Sequence, residues 1–148
     1  MKELYNKLIN SKEFKNWKAK HKDSFLCNYI MIENPQFDFY NKNDTMTSFI
    51  IEDEIEVKDN EEFLKSHNKL NELKLDEIKV SQDEALDLIK EREEYPRKLI
   101  ILQKTKEPFW NITLISPSKL LNIKIDAVNK KILSKKVEPI SKLMRKVV

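Results

Sequence analysis

The sequence contains no glycine at any of its 148 positions. Glycine is needed where the backbone comes close to a phosphate or turns sharply from a strand into a helix, because a Cβ atom would occupy that space. A phosphate-binding P-loop, a GxGxxG dinucleotide turn and a GxSxG nucleophile elbow are therefore excluded. Left-handed turn positions must instead be occupied by Asn and Asp, which tolerate positive φ next best.

Cysteine and histidine are scarce, with one Cys and two His. Cys27 lies among strand-forming residues, and neither His21 nor His67 has motif spacing to it. We therefore predict a buried structural thiol rather than a nucleophile. The same counts exclude the usual Cys/His zinc site. The acidic run at 52–62 lacks the spacing and the turn glycine of an EF-hand, so we predict a solvated acidic loop or helix start. Catalytic residues, cofactors and metals are not expected.

Long apolar runs are also missing, since none approaches the roughly 18–20 residues that span a bilayer. The N-terminal segment is amphipathic and carries charges throughout, unlike the apolar core of a signal peptide. With a single cysteine, these features favour a cytoplasmic protein without a membrane partner.

Charge is abundant and unevenly distributed. Residues 1–22 hold seven Lys against two Glu, and residues 119–148 hold nine Lys or Arg against two acids. The remaining stretch, 23–118, has twelve basic and twenty-one acidic residues. The molecule is therefore predicted to be bipolar, which bears on its partners more than on its fold.

The second half of the chain has the sharper structural signals. Leu121, Ile123 and Ile125 alternate with polar residues, which is typical of a strand with one buried face. Ser81 and Glu84 form a capping box that predicts a helix running to about Tyr95, before Pro96. Strands are predicted at 98–104, 109–116, 119–126 and 131–137, and a helical turn or two in the tail.

The first half shows a similar order. Helical spacing at 2–9 and after the capping residue Ser11 predicts either one helix with a break or two short helices. Strands are predicted at 24–33, 36–40 and 45–51, with the turn at 41–44 supplied by Asn and Asp. A polar helical stretch is predicted at about 59–73.

This order predicts an α+β fold of two layers, with helices packed on one face of an antiparallel β-sheet. The segments 33–38 and 106–111 are spaced similarly from their flanking strands, which suggests an internal duplication in which Phe37 matches Trp110. The halves would be 1–75, ending in the acidic segment, and 76–148, ending in the basic tail, joined in one compact unit.

Residues 76–135 resemble the PepSY family. The resemblance lies in the capped helix at 80–89, the segment Pro108-Phe109-Trp110-Asn111-Ile112, and Ile123-Lys124-Ile125-Asp126-Ala127 with the turn after it. It implies one helix packed on an antiparallel sheet and a module that binds or restrains peptidases without catalytic residues. Asn129 stands where the family usually has Gly, which implies a left-handed residue there.

The function expected from these observations is non-enzymatic binding of a protein or peptide partner through the sheet. We predict Trp110, Phe37, Phe39 and Asn111 as partner-binding residues, with a core position as the alternative for Trp110. A first alternative is nucleic-acid binding through the basic ends, where Phe14 and Trp17 would stack on bases or else face the core. A second is a small apolar ligand between helices and sheet. The sequence leaves the oligomeric state open.

Overall fold

The computed structural model describes residues 1–62 and 71–140, with only the backbone described at 60–62. Its main feature is one antiparallel sheet of eight strands. The strands are β1 Phe25–Met31, β2 Pro35–Tyr40, β3 Thr45–Ile51, β4 Ile55–Glu62, β5 Arg97–Lys104, β6 Pro108–Ile115, β7 Lys119–Asp126 and β8 Ile132–Pro139. The helices are α1 Lys2–Ile9, α2 Lys12–Lys20 and α3 Gln82–Asp87, with single 3₁₀ turns at Leu75–Glu77 and Arg92–Glu94.

The strand order across the sheet is β4-β3-β2-β1-β5-β6-β7-β8. Strands β1 to β4 and strands β5 to β8 each form a meander in which sequence neighbours pair. The two meanders join where β1 pairs with β5, through Tyr29–Leu102, Ile30–Ile101 and Met31–Ile100. The sheet therefore continues from one half of the chain into the other.

The hydrophobic core lies on one side of this sheet, which we call the covered face. Alternating strand residues such as Phe37, Leu102 and Ile123 point into it. Leu8 of α1 and Trp17 of α2 belong to the same cluster, together with residues of α3 and the segment before it. The predicted caps are confirmed: Ser11 Oγ accepts from the Phe14 N–H, and Ser81 and Glu84 form a complete capping box.

The prediction of a two-layer α+β fold is wrong, because the protein is sheet-rich. Strands account for 44% of the structure and helices for 23%. The α-helices are only six to nine residues long, so they are minor elements beside eight strands of six to eight residues.

Two errors in the element predictions explain much of this difference. Residues 55–62 of the acidic segment predicted as a loop or helix start form strand β4, which pairs with β3 through Phe49–Val57 and Ile51–Ile55, and only 52–54 form a turn. The helix after Ser81 ends at Asp87, well before Tyr95. Residues 59–62 of the predicted polar helix belong to β4, whereas 63–70 of that helix and the tail at 141–148 lie outside the described residues.

The turns of this glycine-free chain are only partly as predicted. Asp44 has φ 60°, as expected for the turn at 41–44. In the turn between β7 and β8 the left-handed residue is Lys130, with φ 69°, and not Asn129. The Asp126 carboxylate accepts from the backbone N–H groups of Val128 and Asn129, which sets the turn one residue later than expected.

Candidate functional site

The side of the sheet opposite the core, which we call the open face, has no described helix over it. In residues 1–62 and 71–140, the buried helical side chains belong to the cluster on the covered face. One row of open-face residues crosses the central strands in register: Gln36, Ile30, Ile101, Asn111 and Lys124. Within the described ranges, this row is therefore left without a covering helix.

The centre of the open face is apolar. Ile30 on β1 and Ile101 on β5 lie directly opposite each other, and both are only partly buried. Leu99 is two residues from Ile101 on the same strand and is also partly exposed. Ile32, immediately after β1, is 63% exposed. Single exposed aliphatic residues are normal on a protein surface, whereas a contiguous patch of them is the feature that marks binding surfaces.

A hydrogen-bonded polar cluster lies on one side of this apolar centre. The Asn122 side-chain amide donates to Asn111 Oδ1 at 2.8 Å and to Thr113 Oγ1 at 3.0 Å. These bonds fix the amides before any partner arrives, which lowers the entropy cost of binding. Lys124 on β7 lies directly opposite Asn111 on β6. Its amino group is 5.9 Å from the centre of the Phe109 ring.

A second polar cluster lies on the other side of the centre. Asp38 Oδ1 accepts from Gln36 Nε2 and from Ser48 Oγ, each at 2.7 Å. The backbone oxygen of Asp38 accepts from the Cys27 thiol at 3.3 Å. Asp38 is buried although it lies on this face, and the two hydrogen bonds satisfy its carboxylate there.

Three of the four predicted partner-binding residues are in the core. Trp110, Phe37 and Phe39 point to the covered face and are at most 2% exposed. The Trp110 indole N–H donates to the Val80 carbonyl oxygen at 2.9 Å. Asn111 alone lies on the open face, in the first polar cluster. The sequence reasoning missed Ile30 and Ile101, whose partner strand is not encoded in the local pattern.

Nucleophilic catalysis at Cys27 and metal binding were also weighed from the sequence, and the structure can be compared with both. Cys27 is buried, as predicted, and burial raises the pKa of its thiol to about 12, with a further increase from the nearby Asp38 carboxylate. Such a thiol stays protonated at neutral pH and is a poor nucleophile. Among the described residues, no group of three or more His, Cys, Asp or Glu could hold a metal ion.

The two alternative binding functions map to separate regions. Phe14 and Trp17 are buried in the core, so neither can stack on a base. Of the lysines near β8, Lys130 and Lys135 form ion pairs with Glu84 and Glu91, each at 2.8 Å. A cavity of about 630 Å³ lies between α1 and residues 72–76 and is lined by apolar and charged side chains, including Tyr5 and Glu72. Smaller cavities lie elsewhere, such as one of about 390 Å³ beside Tyr95 and Leu114, so the small-ligand alternative has more than one candidate location.

No helix in the described part of the chain is long and apolar enough to span a membrane. No protein-family model matches the chain, and no curated protein matches it. The chain is similar to the crystal structure of a "putative lipoprotein" from Clostridium difficile 630, with a TM-score of 0.51 and 17% identity. The match covers 85% of this chain and 90% of that one. At this identity the similarity concerns the fold alone.

Proposed function

We propose that this protein is a non-enzymatic binding module whose open face receives another folded protein. The observation that carries the proposal is the Ile30–Ile101 pair, an uncovered apolar centre between two prearranged polar clusters. Charged residues make up 36% of the chain, yet Lys124 is the one charged residue in the central row. Depletion of charge around an apolar centre is the composition of an interface core.

The size of the open face favours a folded partner over a single extended peptide. Seven strand spacings of about 4.8 Å make the sheet roughly 34 Å wide, and strands of this length reach about 20 Å. The face therefore offers on the order of 700 Å², close to the roughly 800 Å² that each partner contributes to a standard interface. The partner surface is expected to be mostly uncharged and to carry amides and hydroxyls that match those around Asn111 and Gln36.

The PepSY resemblance of residues 76–135 supports a peptidase as the first partner to test. Under this proposal the two halves are copies of one helix-plus-strands unit. The supporting observations are the equal number of strands in each meander and Pro35 and Pro108 at the starts of β2 and β6. Cytoplasmic location stays a prediction. The structurally similar protein is named a lipoprotein, so fractionation of host cells into soluble and membrane parts is the test of location for this chain.

The decisive experiment compares capture by the wild type with capture by an open-face variant. Ile101→Glu places a charge at the apolar centre and leaves the core untouched. Lys106→Glu is the matched control. It also introduces a glutamate, but in the exposed turn between β5 and β6, away from the open face. Tagged proteins would be incubated with host lysate, with and without nuclease, and the bound proteins quantified.

We expect a protein retained by the wild type and by Lys106→Glu and reduced at least tenfold by Ile101→Glu. Circular dichroism should show that all three proteins are folded, and the captured protein should then bind in purified form. Equal capture by the wild type and Ile101→Glu would contradict the open face as the binding surface. Capture that disappears with nuclease would favour the nucleic-acid alternative.

A further inference from the structure

The sheet has two edges, β4 at one end and β8 at the other. Within the described ranges no strand pairs with the outer side of either. Immediately after β8, the Ile140 N–H donates to the Ser118 carbonyl oxygen at 2.9 Å. Bonded positions recur at every second residue of an antiparallel pair, so Lys135 and Val137 direct their backbone groups away from β7. Pro139, which has no N–H to donate, occupies the next such position.

The two edges carry opposite charge. Strand β8 and the turn before it contain four lysines and one acid, namely Lys130, Lys131, Lys135, Lys136 and Glu138. Strand β4 and the turn before it contain, up to residue 59, five acids and one lysine, namely Glu52, Asp53, Glu54, Glu56, Asp59 and Lys58. Charged edges protect a sheet from pairing with its like. Because the two edges have opposite charge, pairing of β4 with β4 or of β8 with β8 is unfavourable, whereas pairing of β4 with β8 is allowed.

We propose that β8 of one copy pairs with β4 of a second copy, so that the chain assembles head to tail into a continuous sheet. All neighbouring strands are antiparallel and there are eight of them, so β4 and β8 run in opposite directions. A second copy added in the same orientation therefore meets the first in antiparallel pairing, with both open faces on the same side. Pairing of β8 with β8 would instead set lysines against lysines.

One register satisfies both charge and burial. With Lys136 opposite Glu56, both side chains lie on the open face, because their partners within the sheet are Asn122 and Ile50. The same register places Val137 opposite Ile55 on the covered side and Lys135 opposite Val57. Val137 is 58% exposed and Val57 38% exposed. The contact would therefore bury aliphatic surface that the single chain leaves in water.

The test is sedimentation velocity of the purified full chain over a range of protein and salt concentrations. We expect a series of species that grows by whole copies with concentration and shrinks as salt rises, because the contact is between opposite charges. Lys136→Glu and Glu56→Lys should each weaken association by about tenfold, since each sets like charges opposite each other. Lys106→Glu is the control for the change of charge.

A mixture of the two weakened variants provides the sharpest readout. In an equimolar mixture, each contact between the two variants pairs opposite charges. One kind of contact has the native Lys136 opposite the native Glu56, and the other has the introduced glutamate opposite the introduced lysine, so association should return. Val137→Pro removes an outward N–H without affecting the bonds to β7, and it should also weaken association. Three results would overturn the proposal: a monomer under all conditions, a species that stops at two copies, or oligomers indifferent to these substitutions in folded protein.

Discussion

Phe37 and Trp110 occupy matching positions on either side of the centre of the sheet. Phe37 lies opposite Tyr29, Tyr29 lies opposite Leu102, and Leu102 lies opposite Trp110. All four side chains are buried on the covered face. Phe37 and Trp110 therefore flank the β1–β5 pairing, the seam between the two meanders, from both sides. Trp110 contributes to the core and not to the open face.

Trp110→Ala is expected to destabilise the fold by about 3–5 kcal/mol, which is a large part of the stability of a typical domain. It removes a fully buried ring and leaves the Val80 carbonyl without its indole donor. Urea unfolding followed by circular dichroism measures the loss. Asn111→Ala, one residue away on the open face, should cost no more than about 1 kcal/mol. Equal losses would contradict the assignment of the two faces.

Lys130→Gly is expected to raise the free energy of unfolding by about 0.5–1 kcal/mol. Glycine adopts positive φ without the steric cost that Lys130 bears at 69°. The exposed ion pair with Glu84 that is lost contributes little in return. Asn129→Gly, where the sequence pattern indicated the left-handed residue, should lower stability instead. Thermal unfolding of both variants tests the assignment, and the opposite order would refute it.

Stability is expected to fall as the pH rises between about 9 and 12. Burial raises the pKa of Cys27 from 9.0 to about 12, and burial together with Asp83 raises the pKa of Tyr29 from 10.0 to about 12. In this window the unfolded chain loses these protons while the folded chain keeps them, so unfolding becomes more favourable. Cys27→Ala should flatten the lower part of the decline in urea midpoints measured across pH. An unchanged slope would contradict the raised pKa.

Ser81→Ala is expected to lower stability by about 1 kcal/mol, because the Glu84 N–H loses its acceptor at the start of α3. Ser11→Ala, which removes the cap of α2, should cost a similar amount. Ser118→Ala, at an exposed turn, serves as the control with little change. Denaturant midpoints of the three variants give the comparison, and a loss at Ser118 equal to that at Ser81 would argue against capping.

The sequence was most informative where local chemistry decides structure. The alternation in β7 and the capping box at Ser81 follow from neighbouring residues alone, and both are present in the structure. The alternation of Ile55 and Val57 was also present, but the surrounding acids obscured it. An edge strand needs only one apolar face, so a few such residues suffice to hold β4 on β3.

The length of α3 and the open face depend on tertiary structure. Ile89 and Tyr95 are both buried, yet a continuous helix would place them about 120° apart around its axis. The chain therefore leaves the helix early to bring both into the core. Likewise, Ile30 and Ile101 meet only because β1 pairs with β5, which no local pattern could indicate.

That pairing is the shortest in the described sheet, with three residue pairs, and it is the one between strands distant in sequence. Strands joined by a short hairpin pair quickly. Strands distant in sequence pair more slowly, because the entropic cost of closing a long loop must first be overcome. We therefore expect each meander to be largely formed before the two join, so that the β1–β5 seam is the last part of the sheet to close in folding. For the same reason it is the first place at which a stretched molecule would open.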